Sequence, residues 1–388
     1  MSTRAQIIAW IGLALAASVL AFTAWLYLAG PWRAVDMRAE APAPSPSLNP
    51  HVVDRAQTRA AFEHEVYGAM PAALEPVVVA REEIEAARAG GVERVEQWRV
   101  DVGAAGFFHL AIALPPRADP APVILVLDFC GNRAAFPERP PAIAGPAGYI
   151  QSFCRNGALD PLAEAVFGRH VNGPPFRQIA ERGYAVALLY AGDIVPDNAE
   201  QARAALARFA PESTGALMAW AWTASRAYEA LAADPRFDAR RIALFGQSRQ
   251  GKTALVAGAF DERFAAVVAL QSGRGGDAPT NAFAGEPVAR MNEVYPHWFT
   301  PRFHSETPSV EQHLLLALIA PRPLLLGQAR RDQWSDPVGA RAVREAAAPA
   351  FTALGALPPA SYMRGGGHGI HARDWEETLN FLDARMRD

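Results

Sequence analysis

Short apolar runs alternate with helical stretches over most of this chain, and that alternation constrains its fold more than any other feature. The run at residues 107–114, FFHLAIAL, is nearly continuous in apolar character. Strands of this kind are buried on both faces, as in a parallel sheet covered by helices. Similar runs predict six further strands, at residues 123–129, 184–190, 241–246, 264–270, 322–327 and 360–365. Helical patterns lie between them, at residues 215–233, 252–260, 337–353 and 374–386. The sequence therefore predicts an α/β fold with a mostly parallel, doubly wound sheet and flanking helices.

The N-terminal residues 1–30 predict a membrane segment. Residues 7–29 carry no charge and would form a helix of about 34 Å, against about 30 Å for a bilayer core. A cleaved signal peptide has a shorter apolar region, and Trp25, Tyr27 and Trp32 resemble an interfacial aromatic belt. We interpret the segment as a single-pass inner-membrane anchor with a periplasmic domain. A cleaved signal peptide on a periplasmic or secreted protein is the alternative, and both imply export.

Residues 31–51 form a proline-rich linker, with the stretch APAPSPSLNP at residues 41–50. Such a stretch is a stiff, extended spacer, so the folded domain is expected at residues 52–388. The formal net charge of the chain is −3. This near balance of charge does not indicate the positively charged surface that binds nucleic acid.

The two cysteines, Cys130 and Cys154, suit either of two interpretations. In an oxidising compartment they would form one disulfide that closes a loop of about 25 residues and contributes about 3 kcal/mol. Two buried free thiols are the alternative. No Cys/His spacing predicts a metal site.

The stretch LFGQSRQGKTAL, residues 244–255, fits two different catalytic devices. Gly246 and the run from Gly251 to Thr253 satisfy the phosphate-loop pattern G-x-x-x-x-G-K-[ST]. The same letters place Ser248 between an apolar strand and a helix, as in the nucleophile elbow of an α/β-hydrolase. The first interpretation predicts a nucleotide hydrolase and the second predicts an esterase.

The later strands decide between these interpretations. A nucleotide hydrolase needs a carboxylate at the end of a neighbouring strand to hold Mg²⁺, but the next strand ends in Gln271 and Ser272. An elbow needs an acid and then a histidine after later strands. QARRDQWSDP follows the strand at 322–327, and RGGGHGIHARDW follows the strand at 360–365. The sequence therefore predicts a serine hydrolase on an α/β-hydrolase fold.

The predicted catalytic residues follow from this order. Ser248 is the nucleophile, His368 is the general base, and Asp332 orients the imidazole. The backbone N–H of Arg249 is one expected oxyanion donor, and the loop after the strand ending at Phe129 is expected to add another.

Several of these assignments have structural alternatives. Asp336 precedes Pro337 and resembles a helix N-cap, and His371 could cap the last helix. The Arg249 side chain could reach the oxyanion or an acidic substrate, or it could pair with a surface carboxylate. Asn132 is expected to fix its loop, and His313 is expected to be structural.

Lys252 is the only lysine among 37 basic residues. A general drift of composition towards arginine explains the scarcity of lysine but not the position of this one. Arginine cannot replace a compact ammonium that fits a tight pocket. We therefore predict a functional role for Lys252.

These residues resemble the bacterial branch of carbohydrate esterase family 15, the glucuronoyl esterases, whose elbow reads G-x-S-R-x-G-K. Here the elbow is GQSRQGK. Ordered matches extend over residues 182–375 and thin to FCGN near residue 130. They include RGYAVALLYAGDIVPD, WAWTASRAYEAL, SGRGG, GEPV, PHWF, HLLLALIAPRPLLL, DQWSDP and GGHGIHARDW.

The resemblance implies hydrolysis of esters between (4-O-methyl-)glucuronic acid on xylan and lignin alcohols, through an acyl-enzyme and without a cofactor. It also implies that Arg249 contacts the oxyanion, that Lys252 and Glu286 bind sugar hydroxyls, and that Trp334 lines the sugar site. The chain departs from the family at Gln271, where many members carry the triad glutamate, so the acid is expected to be Asp332.

Two alternative functions remain open on the sequence. One is another exported esterase on the same scaffold, such as an acetyl esterase or a dienelactone-hydrolase-like enzyme. The other is a membrane-tethered carbohydrate-binding protein that has lost catalysis, since Gln271 replaces an acid.

Overall fold

The computed structural model describes residues 3–28, 33–41, 44, 53–85, 90–116, 120–128, 130–145, 160–281, 284–305 and 307–386. Within those residues, nine strands form one sheet in the order β1-β2-β3-β5-β4-β6-β7-β8-β9. The strands are β1 Val77–Glu83, β2 Arg94–Asp101, β3 Phe107–Leu114, β4 Ala121–Leu127, β5 Ala185–Leu189, β6 Phe237–Gln247, β7 Ala266–Leu270, β8 Leu324–Ala329 and β9 Ala360–Arg364.

The α-helices flank this sheet, except for the first, and a short π-helix at Glu63–Tyr67 follows the second. They are α1 Thr3–Leu28, α2 Arg55–Phe62, α3 Asp160–Phe167, α4 Phe176–Glu181, α5 Ala199–Leu206, α6 Ala216–Ala232, α7 Arg249–Phe260, α8 Val288–Val294, α9 Pro301–Ser305, α10 Gln312–Ala317, α11 Pro337–Ala353 and α12 Ala372–Met386. The four helices and seven strands predicted from the sequence all correspond to elements of this structure.

The sheet is parallel from β5 across to β9 and antiparallel at the β1-β2-β3 edge. Strand β4 shows why the central strands are continuous apolar runs. Val123 and Leu125 lie in the larger hydrophobic core, whereas Ile124 and Val126 lie in the core on the opposite face. Both faces are covered, so neither set of alternating side chains can be polar. The predicted mostly parallel α/β architecture is confirmed.

The carboxyl ends of neighbouring parallel strands meet at one edge of the sheet. Ser248 follows β6 and Gln271 follows β7, while Asp332 and His368 follow β8 and β9. Ligands of open α/β sheets bind at this edge, beyond the carboxyl ends of the strands. The topology therefore collects the predicted catalytic residues in one place.

Helix α1 is long and apolar enough over Trp10–Leu28 to cross a membrane, and no part of that stretch is buried. A signal sequence near the N-terminus would pass the same test. Of the predicted linker, residues 33–41 and 44 are described. Part of this segment lies against the domain, because the Val35 N–H donates to the Arg330 carbonyl at 2.8 Å. The Arg341 guanidinium donates to the Met37 and Ala39 carbonyls at 2.9 and 3.0 Å.

Three of the sequence predictions involve residues outside the described ranges. Cys130 is buried directly after β4, but Cys154, its predicted disulfide partner, lies outside the described residues. Phe129, the predicted end of the β4 strand, and most of the proline-rich stretch also lie outside them. The predicted domain limits at residues 30 and 52 stay predictions.

Candidate active site

Ser248 occupies a sharp turn between β6 and α7. Its backbone is in the left-handed region, with φ at +57°, a conformation that a residue other than glycine adopts only when its surroundings enforce it. Two glycines make the turn possible. A Cβ at Gly246 would lie 2.1 Å from the Gln250 carbonyl oxygen, and a Cβ at Gly251 would lie 2.6 Å from Ser272 Oγ. Both glycines that match the phosphate-loop pattern therefore allow the backbone to pack closely around a strained serine, as a nucleophile elbow requires.

Asp332 and His368 form the hydrogen bond that a triad needs. His368 Nδ1 lies 2.8 Å from Asp332 Oδ2. Asp332 Oδ1 accepts the N–H groups of Trp334 and Ser335 at 2.9 and 3.1 Å. Burial alone would raise the pKa of Asp332, but His368 and the hydrogen bonds from Ser335 outweigh it and lower that pKa. The carboxylate is therefore ionised and turned towards the imidazole.

Asp336, the other candidate acid, is the N-cap of α11. Its side chain accepts the Gly339 N–H at 3.0 Å, and its φ is +52°. Burial raises the pKa of Asp336. Of the two candidate acids, the one in contact with His368 is thus Asp332. His371 lies at the start of α12, where its N–H donates to Asp374, and it is not among the residues that line the active-site cavity.

The Nε2 atom of His368 faces a residue that the sequence reasoning did not select. This nitrogen lies 3.0 Å from the amide nitrogen of Gln247. The same amide nitrogen is 3.3 Å from Oε1 of Gln271. The position of Gln247 directly before the nucleophile is the signal that could have identified it.

Arg249 is nearly buried, and its guanidinium pairs with Asp197. The guanidinium carbon lies 4.8 Å from the ring centres of both Tyr295 and Trp298, and these two rings stack on each other. Asp197 also accepts hydrogen bonds from His297 and from the Trp298 indole, each at 2.8 Å. The expected alternative of a surface carboxylate partner is wrong, because only 4% of the Asp197 side chain is exposed.

The charge of Asp197 is strongly stabilised in this position. Burial would raise the pKa of its carboxyl, but Arg249 and His297 outweigh burial and hold that pKa well below its usual range. Sequence reasoning missed Asp197, although it closes the stretch YAGDIVPD. The fixed carboxylate and the stacked rings hold the guanidinium at the cavity wall beside Ser248.

Lys252 lies one helical turn after Ser248, and its ammonium donates to the Ser272 carbonyl. Burial lowers the pKa of Lys252 to about 8, although the nearby carboxylates of Glu286 and Asp277 act in the opposite direction. Asp277 is fully buried, and burial raises its pKa to about 7. Its carboxylate accepts the Gly273 N–H at 2.7 Å and a hydrogen bond from Gln328.

Glu286 and Trp334 lie on two loops that are joined by a backbone hydrogen bond of 2.9 Å from the Glu286 N–H to the Trp334 carbonyl. The Glu286 side chain is largely buried and pairs with Arg290 at 3.4 Å. Trp334 is 53% exposed, so apolar surface of this residue remains available at the mouth of the site.

All predicted site residues except Asp332 line a single cavity of about 310 Å³. This volume is at the lower end of the range for small-molecule sites, which suits one sugar ring. The lining residues are Phe167, Val171, Gln247, Ser248, Arg249, Lys252, Gln271, Ser272, Arg274, Glu286, Met291, Tyr295, Trp298, Trp334, Ser335, His368 and Gly369. Asp332 lies behind His368, as a triad acid does.

Among the described residues of the loop after β4, none brings the expected second oxyanion donor to this cavity. The N–H groups of Cys130 and Gly131 donate to Asp128 at 2.8 and 3.1 Å, and no residue of the described loop 130–145 lines the cavity. Asn132 donates to the His109 carbonyl at 3.0 Å, which agrees with the expected loop-fixing role. Among the described residues, no three His, Cys, Asp or Glu side chains are grouped to hold a metal ion.

Comparison with known proteins places this geometry in context. A family model described as "Glucuronyl esterase, fungi" matches residues 184–355. The carbohydrate esterase MZ0003, from an unknown prokaryotic organism, is 31% identical over 366 residues, which are 86% of this chain and 84% of that protein. A 4-O-methyl-glucuronoyl methylesterase of Phanerochaete chrysosporium is 33% identical over 181 residues, covering 43% of this chain and 38% of that protein.

Two solved structures are similar over nearly the whole of their length. A promiscuous CE15 esterase from a marine bacterial metagenome superposes with a TM-score of 0.72 at 29% identity, covering 87% of this chain and 92% of the other. A glucuronoyl esterase from Solibacter usitatus superposes with a TM-score of 0.71 at 30% identity, covering 87% and 93%.

Proposed function

The chain belongs to carbohydrate esterase family 15, and from that premise we propose that it hydrolyses carboxyl esters of (4-O-methyl-)glucuronic acid with Ser248 as the nucleophile. The observation that carries this proposal is the hydrogen bond of 2.8 Å between Asp332 and His368, formed beside a strained serine. Lys252 and Glu286 lie in the same cavity. The family acts on carboxylic esters, so the reaction class is that of a carboxyl-ester hydrolase.

The first half of the reaction is acyl transfer to the serine. Ser248 Oγ attacks the ester carbonyl carbon while Nε2 of His368 takes its proton, giving an imidazolium that the Asp332 carboxylate stabilises. The backbone N–H of Arg249 and its guanidinium would stabilise the oxyanion. The carbon–oxygen bond to the alcohol then breaks, and the imidazolium gives its proton to the departing alkoxide.

The second half releases the acid. Water attacks the acyl-enzyme carbonyl as His368 takes one of its protons, and the bond to Ser248 Oγ breaks as the proton returns to the serine. The products are an alcohol and a glucuronate. Lys252 and Glu286 would bind ring hydroxyls, and the exposed Trp334 ring would offer the sugar an apolar face.

Substrate preference tests the proposed function. Purified protein should hydrolyse benzyl glucuronate with a kcat/KM that exceeds those for p-nitrophenyl acetate and for acetylated xylan roughly tenfold or more, because only the glucuronate ring uses Lys252 and Glu286. Acetyl esters are an informative comparison because one of the similar structures is described as a promiscuous esterase. Activity on acetyl esters alone would show that the cavity serves another esterase reaction.

We further propose that α1 stays attached as an inner-membrane anchor, with the catalytic domain in the periplasm. This proposal is supported by the exposed apolar surface of Trp10–Leu28 and by contacts between the end of α1 and the domain. Arg331 donates to the Tyr27 carbonyl at 3.3 Å and lies 4.9 Å from the Tyr27 ring centre. The loop that carries Asp332 is therefore in contact with the end of the anchor helix.

Cell fractionation tests this proposed location. In a Gram-negative host the full-length chain is expected to remain in the inner-membrane pellet after an alkaline carbonate wash, because an apolar helix of this length stays in the bilayer. A variant lacking residues 1–30, fused to a cleavable signal peptide, is the matched control and should be soluble in the periplasm. Recovery of the full-length gene product as a soluble, shortened chain would instead identify a cleaved signal peptide.

A further inference from the structure

Two glutamines join the nucleophile elbow to the loop that carries the proposed base. The amide nitrogen of Gln247 lies 3.0 Å from Nε2 of His368 and 3.3 Å from Oε1 of Gln271. Oε1 of Gln271 also accepts the Gly369 N–H at 2.8 Å. A continuous set of hydrogen bonds thus runs from the residue before Ser248 to the residue after His368.

The chemistry of these groups fixes their orientation. The Gly369 N–H can only donate, so the side-chain oxygen of Gln271 faces it. That oxygen in turn requires the nitrogen of Gln247 on its other side, because a reversed Gln247 amide would place two acceptor oxygens together. The Gln247 amide is therefore a donor towards His368, and Nε2 of His368 must be the nitrogen with the lone pair.

We propose that Gln247 and Gln271 are positioning residues that hold His368 as the neutral imidazole with its proton on Nδ1 and its Nε2 lone pair directed at the elbow. The proposal rests on the proposed function of His368 as the base. The proton on Nδ1 is donated to Asp332. The Nε2 lone pair, which faces the Gln247 amide at 3.0 Å, is the one that must accept the proton of Ser248 during the reaction. A proton on Nε2 would point its N–H at the Gln247 amide hydrogens, so the contact fits the ring with its lone pair on that nitrogen.

Gln271 is itself rigidly held. Its backbone has φ at +49°, and its N–H donates to the Gly327 carbonyl at 2.8 Å. Its carbonyl oxygen lies 3.1 Å from Ser335 Oγ, whose hydroxyl hydrogen is donated to Asp332. It is 1% exposed, so water does not compete for its side-chain oxygen. A neutral amide at this position therefore serves the imidazole indirectly, by orienting Gln247 and fixing Gly369.

The surroundings of His368 leave Gln247 room to influence protonation. Asp332 lies on the Nδ1 side of the ring, and Ser335 Oγ is 3.3 Å from the same nitrogen. On the Nε2 side, Gln247 is the one residue of the described part of the chain that makes a hydrogen bond with the ring. Removing the amide donor should ease protonation of Nε2, and a carboxylate in its place should ease it further.

Gln247→Met and Gln247→Glu test this inference against Gln250→Met, which removes a buried glutamine that does not line the cavity. The readouts are the pH profile of kcat/KM and the pH profile of the rate at which a fluorophosphonate labels Ser248. In Gln247→Met the acid limb of both profiles should move to higher pH by about half to one unit, and labelling near pH 6 should slow roughly three- to tenfold. Gln247→Glu should move the limb further in the same direction, and Gln250→Met should leave it in place.

An acid limb that stays in place in both Gln247 variants would overturn the inference, even if their rates fall. Gln247→Glu has the size of glutamine and decides the question alone if the methionine variant does not fold. Labelling of Ser248 requires no glucuronate ester. A shifted labelling profile in a protein without glucuronoyl esterase activity would therefore refute the proposed substrate and leave the role of the glutamines supported.

Discussion

Replacing Asp332 with asparagine is expected to lower kcat for benzyl glucuronate by about 10⁴-fold. The reason lies at Nδ1 of His368, which is 2.8 Å from Asp332 Oδ2. An asparagine cannot stabilise the imidazolium by charge, and its amide admits the tautomer with the proton on the wrong nitrogen. The lowered pKa of Asp332 means that this charge is present throughout the neutral range. Steady-state kinetics measure the loss, with Ser248→Ala giving the background rate.

Asp336→Asn is the matched control for this experiment, since the two carboxylates lie four residues apart in the same loop. We expect kcat to stay within about threefold of the wild type, because asparagine caps helices as well as aspartate does and tolerates the left-handed backbone. Burial raises the pKa of Asp336 by penalising its charged form, so replacing the carboxylate with a neutral amide relieves that penalty. A large loss in Asp336→Asn with little loss in Asp332→Asn would reverse the assignment of the acid. Small, equal losses would mean that neither carboxylate supports His368.

The parallel part of the sheet was predictable because strands buried on both faces are continuous apolar runs in the sequence. Strands such as β4 and β5 must be apolar at every position, and no helix of the required length fits so short a run. The edge strands β1 and β2 gave no such signal. β1, VVVAREE, is exposed along much of its length, and β2, RVEQWRVD, alternates polar and apolar residues.

The order of the proposed catalytic residues along the chain follows from the topology of the fold. Once Ser248 is placed after β6, an acid and a histidine must follow at the ends of later strands, and the chain offers few candidates. The choice between Asp332 and Asp336 rested on the proline after Asp336. The structure places the N-cap where that proline predicts it.

What the sequence could not reveal are contacts between residues far apart in the chain. Asp197 is 52 positions from Arg249, and nothing in its own neighbourhood marks it as the partner of a buried guanidinium. Gln247 and Gln271 are neutral amides, a residue type that sequence reasoning assigns to chemistry only when a partner is already known. Their relation to His368 depends on strand register and on the positive φ of Gln271, which no local pattern predicts.

Lys252→Met is expected to remove the preference for the sugar ring while sparing ester hydrolysis itself. Near pH 7 the ammonium can make a charge-assisted hydrogen bond to a ring hydroxyl, and losing it should lower kcat/KM for benzyl glucuronate roughly 10- to 100-fold. For p-nitrophenyl acetate, which has no ring hydroxyl, the change should stay within about threefold. The ratio of the two kcat/KM values measures the effect, and the second substrate serves as the internal control.

The fold should survive this substitution because the neighbouring carboxyl can lose its charge. Burial raises the pKa of Asp277 to about 7. Without the ammonium, Asp277 can take a proton instead of remaining an unpaired buried charge. Gln328 and the Gly273 N–H still reach its oxygens, and methionine fills a space of nearly the same length.

The pH dependence of the substrate ratio separates a role in sugar binding from a role in packing. Burial lowers the pKa of Lys252 to about 8, so its charge is present below that pH and is lost as the pH rises through it. In the wild type, the preference for benzyl glucuronate should therefore decline above pH 8, whereas in Lys252→Met it should be low and flat. If kcat/KM of Lys252→Met falls equally for both substrates at every pH, Lys252 stabilises the elbow and does not bind the sugar. The ring would then be bound by Glu286 and Trp334.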